Sequence, residues 1–189
     1  MTEVDHSLTG AVRIWLRALG AAEPELERTP YRFAEALAEL TSGTFTDPAE
    51  HLKTTFPAQA DEMIVLRRVP LVSLCEHHLM PFTGHATVGY IPAEGAGVVG
   101  LSKLARVVDG YAARLQLQER LTGQVADCLE THLDTVGVAV TITAVHSCLA
   151  LRGARKGGAE LVTSVTRGAF RTEPAARAEF FALARGNGG

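Results

Sequence analysis

Cys75-Glu76-His77-His78 sets a thiol, a carboxylate and two imidazoles in consecutive positions. The stretch lies between two apolar runs, Ile64 to Leu74 and Leu79 to Phe82. A second group, His146-Ser147-Cys148, stands far along the chain. Zinc takes thiolate and imidazole in a tetrahedral shell; structural sites use four protein ligands, catalytic sites three and a water. The two clusters offer Cys75, one of the paired histidines, and Cys148. The chain has 3 cysteines, and the third, Cys128, falls on the apolar face of a helical pattern. This arithmetic favours an open site that keeps a position for water. It also leaves a histidine in each cluster free for acid/base work.

The elements that must position these groups follow from periodicity. Met63 to Val69 reads as a strand, and Gly84 to Ile91 as a second, ended by Pro92. A hairpin with the ligands in its connection is the simplest assembly. Val136 to Cys148 is the clearest strand, alternating Val138, Val140, Ile142 and Ala144 against Ala139, Thr141, Thr143 and Val145. If that strand continues, His146 and Cys148 point to one face, with Arg152 on the same parity. Leu161 to Arg167 returns after a polar turn at Ala154 to Glu160.

Leu8 to Leu19 predicts an amphipathic helix with Val12, Trp15, Leu16 and Leu19 on one face. Thr29-Pro30 predicts an N-cap and first turn for a helix from Tyr31 to Thr41. Gly100-Leu101-Ser102 introduces a long helix with Ser102 as its N-cap. A second runs from about Glu119 to Leu133, with Val125, Cys128, Leu129 and His132 on one face. A last helix runs from Thr172-Glu173-Pro174 to about Ala184. Two hairpins and their helices make an α+β layer: one antiparallel sheet with helices on one face. We divide the chain into an N-terminal helical extension (1–24), one domain (25–185) and a disordered tail (186–189).

The 189 residues carry a formal net charge of -3, so bulk charge gives no reason to expect nucleic-acid binding. Any phosphate site must be local. Lys103 and Arg106, three apart beside a helix N-terminus, form one candidate, while Arg32 alone reads as a solvated charge. The N-terminus shows no signal-peptide pattern and no apolar run is long enough to span a bilayer. A cytoplasmic protein with reduced cysteines is expected.

These motifs together resemble GTP cyclohydrolase I. The segments that carry the resemblance are Ser73-Leu-Cys-Glu-His-His-Leu-Met-Pro-Phe82, Gly89-Tyr-Ile-Pro92, Gly100-Leu-Ser-Lys-Leu-Ala-Arg106, Arg114, Gln116-Leu-Gln-Glu-Arg-Leu121, His146-Ser-Cys148 and Arg152-Gly153. Thr29-Pro-Tyr-Arg-Phe-Ala34 resembles the family's N-terminal signature. The resemblance implies the tunnelling fold (T-fold), in which subunits pool their sheets into a ring-shaped barrel. It implies a homodecamer, a dimer of pentamers, with active sites at subunit boundaries. It implies conversion of GTP and water to 7,8-dihydroneopterin triphosphate and formate, the first step of tetrahydrofolate biosynthesis.

By the same resemblance Cys75, His78 and Cys148 are the Zn2+ ligands, and His77 and His146 the acid/base pair. Gln118 and Glu119 read the guanine. Ser102, Lys103, Arg106 and Arg152 hold the triphosphate, and Arg32 reaches a neighbouring subunit's triphosphate. The resemblance implies neither a nucleic-acid nor a membrane partner. The chemistry agrees with these types: the Glu119 carboxylate can accept from guanine N1–H and the 2-amino group together, a donor pair that adenine lacks. Two departures stand out. Gly157-Gly158-Ala159-Glu160 lacks the family's Ser/Thr-rich character, and His85 replaces a common Lys. A same-fold enzyme feeding a deazapurine or other pterin-derived pathway shares this first reaction. A structural zinc module is the other alternative, and needs a fourth protein ligand.

Overall fold

The computed structural model describes residues 6–21, 24–57 and 62–186. Two helices, α1 (His6–Ala18) and α2 (Thr29–Leu40), open it and pack on each other. Short strand β1 (Thr55–Phe56) precedes the long hairpin β2 (Ile64–Cys75) and β3 (Pro81–Pro92). Next come β4 (Val98–Val99), α3 (Leu101–Ala112), β5 (Leu115–Gln116) and α4 (Gln118–His132). The chain ends with β6 (Thr135–His146), α5 (Ser147–Ala150), β7 (Leu161–Gly168), α6 (Ala169–Thr172) and α7 (Pro174–Arg185). The main sheet has the order β5-β2-β3-β6-β7, and β1 pairs with β4 apart from it.

The alternation read in the sequence builds the core. Phe82, Ala86, Val88 and Tyr90 of β3 and Val138, Val140, Ile142 and Ala144 of β6 point to one face. Against it pack Leu104, Val107 and Val108 of α3 and Leu121, Val125, Cys128 and Leu129 of α4. Each fully buried apolar side chain contributes about 1.5–3 kcal/mol of transfer free energy. Gly84 lets β3 and β6 approach: a Cβ there would meet Ala144 Cα at 2.6 Å.

The sheet differs from the expected one in two respects. It is not wholly antiparallel, because β5 pairs with β2 in parallel, Cys75 opposite Gln116. Nor do the helices share one face. Phe180 of α7 and Phe170 pack with Ala139, Met63, Val65 and Ile91 on the opposite side. Gly89 and Ala139 provide the flat floor for Phe180; a Cβ on Gly89 would lie 2.8 Å from its ring.

Local signals also shift. Ser102 is not an N-cap: Gly100 occupies that position and Ser102 lies inside the first turn. Likewise Arg28, not Thr29, caps α2. Val12 is buried, but Trp15 and Leu19 are 59% and 62% exposed, so the α1 face is only partly covered. Strand β2 extends past Val69 to Cys75 through a bulge between Leu66 and Val69, where Arg68 takes φ 54°. Gly186, the first residue of the expected tail, ends α7 with φ 70° and its N–H on Ala182 O. The rest of the tail lies outside the described residues. No helix among the described residues is long and apolar enough to cross a membrane.

Candidate active site

The β2–β3 connection folds tightly around its own backbone. Cys75 N–H donates to Met80 O at 2.9 Å and Leu79 N–H to Cys75 O at 2.8 Å. Leu79 adopts φ 53° to close the turn. Glu76 N–H donates to Gln116 O at 3.0 Å, tying the turn to β5. The Glu76 carboxylate then takes a two-pronged ion pair from Arg120 of α4, at 2.5 and 3.0 Å. Hydrogen bonding to Arg120 holds the Glu76 carboxyl below the usual glutamate range.

The strand expected to carry Cys148 beyond His146 stops at His146. Residues Ser147–Ala150 turn into one helical turn instead. Strand parity therefore does not aim Cys148; the helical turn does, and it brings the thiol to the β2–β3 connection. Ligand atoms of Cys75, His78 and Cys148 all lie within 4.8 Å of one another. Cys75 Sγ is 3.9 Å from His78 Nδ1. A sulfur and a nitrogen on one tetrahedral zinc sit roughly 3.6 Å apart, so the donor set fits that ion. Cys75 is buried and His78 exposed, which gives the cluster a wet side. Burial, and then the neighbouring Cys75, push the Cys148 thiol up from its ordinary value; a bound cation reverses that preference. Cys128 is 4% exposed in the core, as its helical neighbours predict.

His146 lies directly opposite Phe82 in the β3–β6 ladder. Its Nε2 is 2.8 Å from Gln118 Oε1. Burial lowers the His146 pKa, with Glu119 pulling the other way. Glu119 is exposed in the first turn of α4. His77 is exposed, its ring 6.3 Å from that of His78 and nearly perpendicular.

Gln118, expected against guanine, lies at the start of α4. It is 1% exposed, and its amide is engaged by Ile142, Leu161, Thr163 and His146. Arg152 is exposed in the turn just past α5. Arg32 is exposed on α2.

Ser102 and Lys103, at the start of α3, do not join the cluster within one chain, and Arg106 lies mid-helix beside Ser42, Gly43 and Thr46. Val99, just before α3, donates its N–H to Tyr90 Oη at 3.1 Å. Along β3, Phe82 and Tyr90 are separated by roughly 26 Å. The far end of α3 leads into β5, beside Cys75. The helix start that bears Ser102 and Lys103 thus sits at the opposite end of the sheet from the metal ligands.

Sequence reasoning missed Phe82 as the shelf under His146, and the Glu76–Arg120 clamp. The ladder register that pairs Phe82 with His146 has no local signal. The acid beside Cys75 was visible, but not its partner on another element.

A family model described as GTP cyclohydrolase I matches residues 8–185. GTP cyclohydrolase 1 of Pelotomaculum thermopropionicum is 50% identical over 184 residues, covering 96% of this chain and 97% of the relative. The Mycolicibacterium vanbaalenii enzyme of that name is 54% identical over 172 residues, 89% of this chain and 85% of its own. That of Corynebacterium glutamicum is 48% identical over 186 residues, 97% and 94% of the two chains.

Proposed function

The chain belongs to the GTP cyclohydrolase I family and has GTP cyclohydrolase I activity, and from that premise we propose which residues carry the reaction. GTP and water are converted to 7,8-dihydroneopterin triphosphate and formate, the first step of tetrahydrofolate biosynthesis, in the cytoplasm. Cys75, His78 and Cys148 hold a zinc ion. The observation that carries this reading is the convergence of these three donors, from two distant segments, within 4.8 Å. When bound, zinc supplies Lewis acidity that lowers the pKa of a water from about 15.7 to roughly 7.

The protein's own groups do the rest. His77 and His146 exchange protons with the base and ribose as the imidazole ring opens, formate leaves and the pterin ring closes. Glu119, exposed beside His146, accepts from guanine N1–H and the 2-amino group. Arg152, Ser102, Lys103, Arg106 and a neighbouring chain's Arg32 hold the triphosphate by charge-assisted hydrogen bonds.

The separation of Ser102 and Lys103 from the cluster supports a site shared between subunits, with the start of α3 supplied by a second copy. The sheet's edges support assembly too. Among the described residues, strand β7 is paired on one side only, and β5 covers only the Leu74–Cys75 end of β2. Open edges of this kind invite pairing with another chain. We infer a T-fold ring barrel, two pentamers stacked as a homodecamer.

Purified protein incubated with GTP should release formate and dihydroneopterin triphosphate, with one zinc bound per chain. Chelation should abolish turnover and zinc should restore it. Full turnover in protein shown to be metal-free overturns the zinc assignment.

A further inference from the structure

The Gln118 side chain is wedged between α4, β6 and β7. Its Nε2 lies 3.0 Å from Ile142 O, 3.0 Å from Leu161 O and 3.1 Å from Thr163 Oγ1. Two of these partners are main-chain carbonyls and can only accept. Were the amide turned over, its oxygen would face both of them, acceptor against acceptor, in a buried place. The nitrogen must therefore face the carbonyls and Oε1 must face His146.

The hydroxyls agree with this direction. Thr122 donates its single hydroxyl proton to Gln118 O at 2.7 Å. Thr163 Oγ1, 2.7 Å from Thr122 Oγ1, then donates to Thr122. That leaves the Thr163 oxygen as an acceptor for the Gln118 amide. Every donor in the group has an acceptor, and no hydroxyl is left to reverse the chain.

An amide oxygen cannot donate. His146 Nε2, 2.8 Å from Gln118 Oε1, must therefore carry the proton of that hydrogen bond. The hydrogen bond at one imidazole nitrogen decides what the other can do. Among the described residues Nδ1 has no hydrogen-bond partner. Stacking on Phe82 at 4.5 Å, with ring planes 9° from parallel, holds the plane of the ring, and the bond to Gln118 keeps Nε2 on the buried side.

We propose that Gln118 is a positioning residue that holds His146 in the Nε2–H tautomer and makes Nδ1 the nitrogen that exchanges protons with substrate. This rests on the acid/base reading of His146. Gln118 then contributes to turnover without touching GTP, through a network anchored on two strands. The pairing is set by buried acceptors that do not change with pH.

The test is nitrogen-15 NMR of histidine-labelled, zinc-loaded protein, with His146 assigned by comparison with His146→Ala. The neutral ring should show a protonated Nε2 and an unprotonated Nδ1. Gln118→Met, close in volume but without the hydrogen bonds, should bind zinc, keep KM within about twofold and lose roughly tenfold or more in kcat. A wild-type ring protonated at Nδ1 overturns the proposal. So does Gln118→Met with raised KM and unchanged kcat, which marks a residue that reads the base. If Gln118→Met does not fold, the wild-type spectrum alone decides. Full turnover of His146→Ala would remove the acid/base role while leaving the tautomer result to stand by itself, so the two failures are distinguishable.

Discussion

Phe82 and His146 stack face to face across adjacent strands, centroids 4.5 Å apart and planes 9° from parallel. Phe82 is fully buried, so its ring is fixed by the core and passes that order to the imidazole. Phe82→Leu should lower stability by about 1–3 kcal/mol. It should also reduce kcat while zinc content stays at one per chain. Urea unfolding, metal analysis and steady-state kinetics on one preparation check this. A variant with lowered stability and unchanged kcat would show that the shelf is not needed for turnover.

The three cysteines should separate cleanly. Cys75→Ala and Cys148→Ala are expected to lose tight zinc and activity together, since each supplies one of three donors. Cys128→Ala should keep both, at a modest cost in stability from the small cavity. His78→Ala should lose zinc, whereas His77→Ala should keep it and lose roughly 100-fold or more in turnover. Metal analysis beside kinetics decides each case; zinc loss in Cys128→Ala would refute the ligand set.

The contrast between these residues shows how legible the site was. Cys75 and Cys148 are legible because the chain has only 3 cysteines, whereas the choice of His78 over His77 came from the family resemblance. Cys128 was recognisable as core from its helical neighbours. The route of Cys148 to the cluster was not legible. Alternation persists to His146, and nothing local marks the switch to a helical turn at Ser147. The packing of Gln118 was not legible either: its partners come from β6 and β7, and no local pattern encodes them. In the fold, the period-2 runs gave the hairpins and the inner face. Ala139 and Gly89, small residues in those runs, were the only hint that a helix lies against the other side.

The Glu76–Arg120 pair gives a pH signature. The folded-state pKa of Glu76 is lowered, chiefly by the Arg120 hydrogen bond. Its contribution to stability is therefore present above the ordinary glutamate pKa, about 4.3, and is lost as pH falls through the lowered folded value. In metal-free protein, Glu76→Gln should melt slightly below wild type at neutral pH, and the difference should vanish in acid. High salt should shrink it, because both side chains remain partly exposed. A difference that persists unchanged below pH ~3 would assign it to packing instead.

Complementation tests the shared site. Lys103 lies at the start of α3, at the other end of the sheet from Cys148, which supports a site completed by a second chain. Lys103→Ala and Cys148→Ala homo-oligomers should each be nearly inactive, the first through loss of triphosphate binding and the second through loss of zinc. If α3 and the cluster meet across a subunit boundary, a mixed oligomer contains sites that draw Lys103 from one chain and Cys148 from the other. Random assembly of equal amounts leaves both parts intact in about a quarter of the sites, because each part is independently intact in half. Co-expression of differently tagged variants, purification through both tags and a formate assay should therefore recover about that share of wild-type turnover. If each chain completed its own site, no mixture would contain an intact one. Mixed oligomers no more active than their parents would therefore place Lys103 in the same chain as the metal ligands it serves, or outside the site.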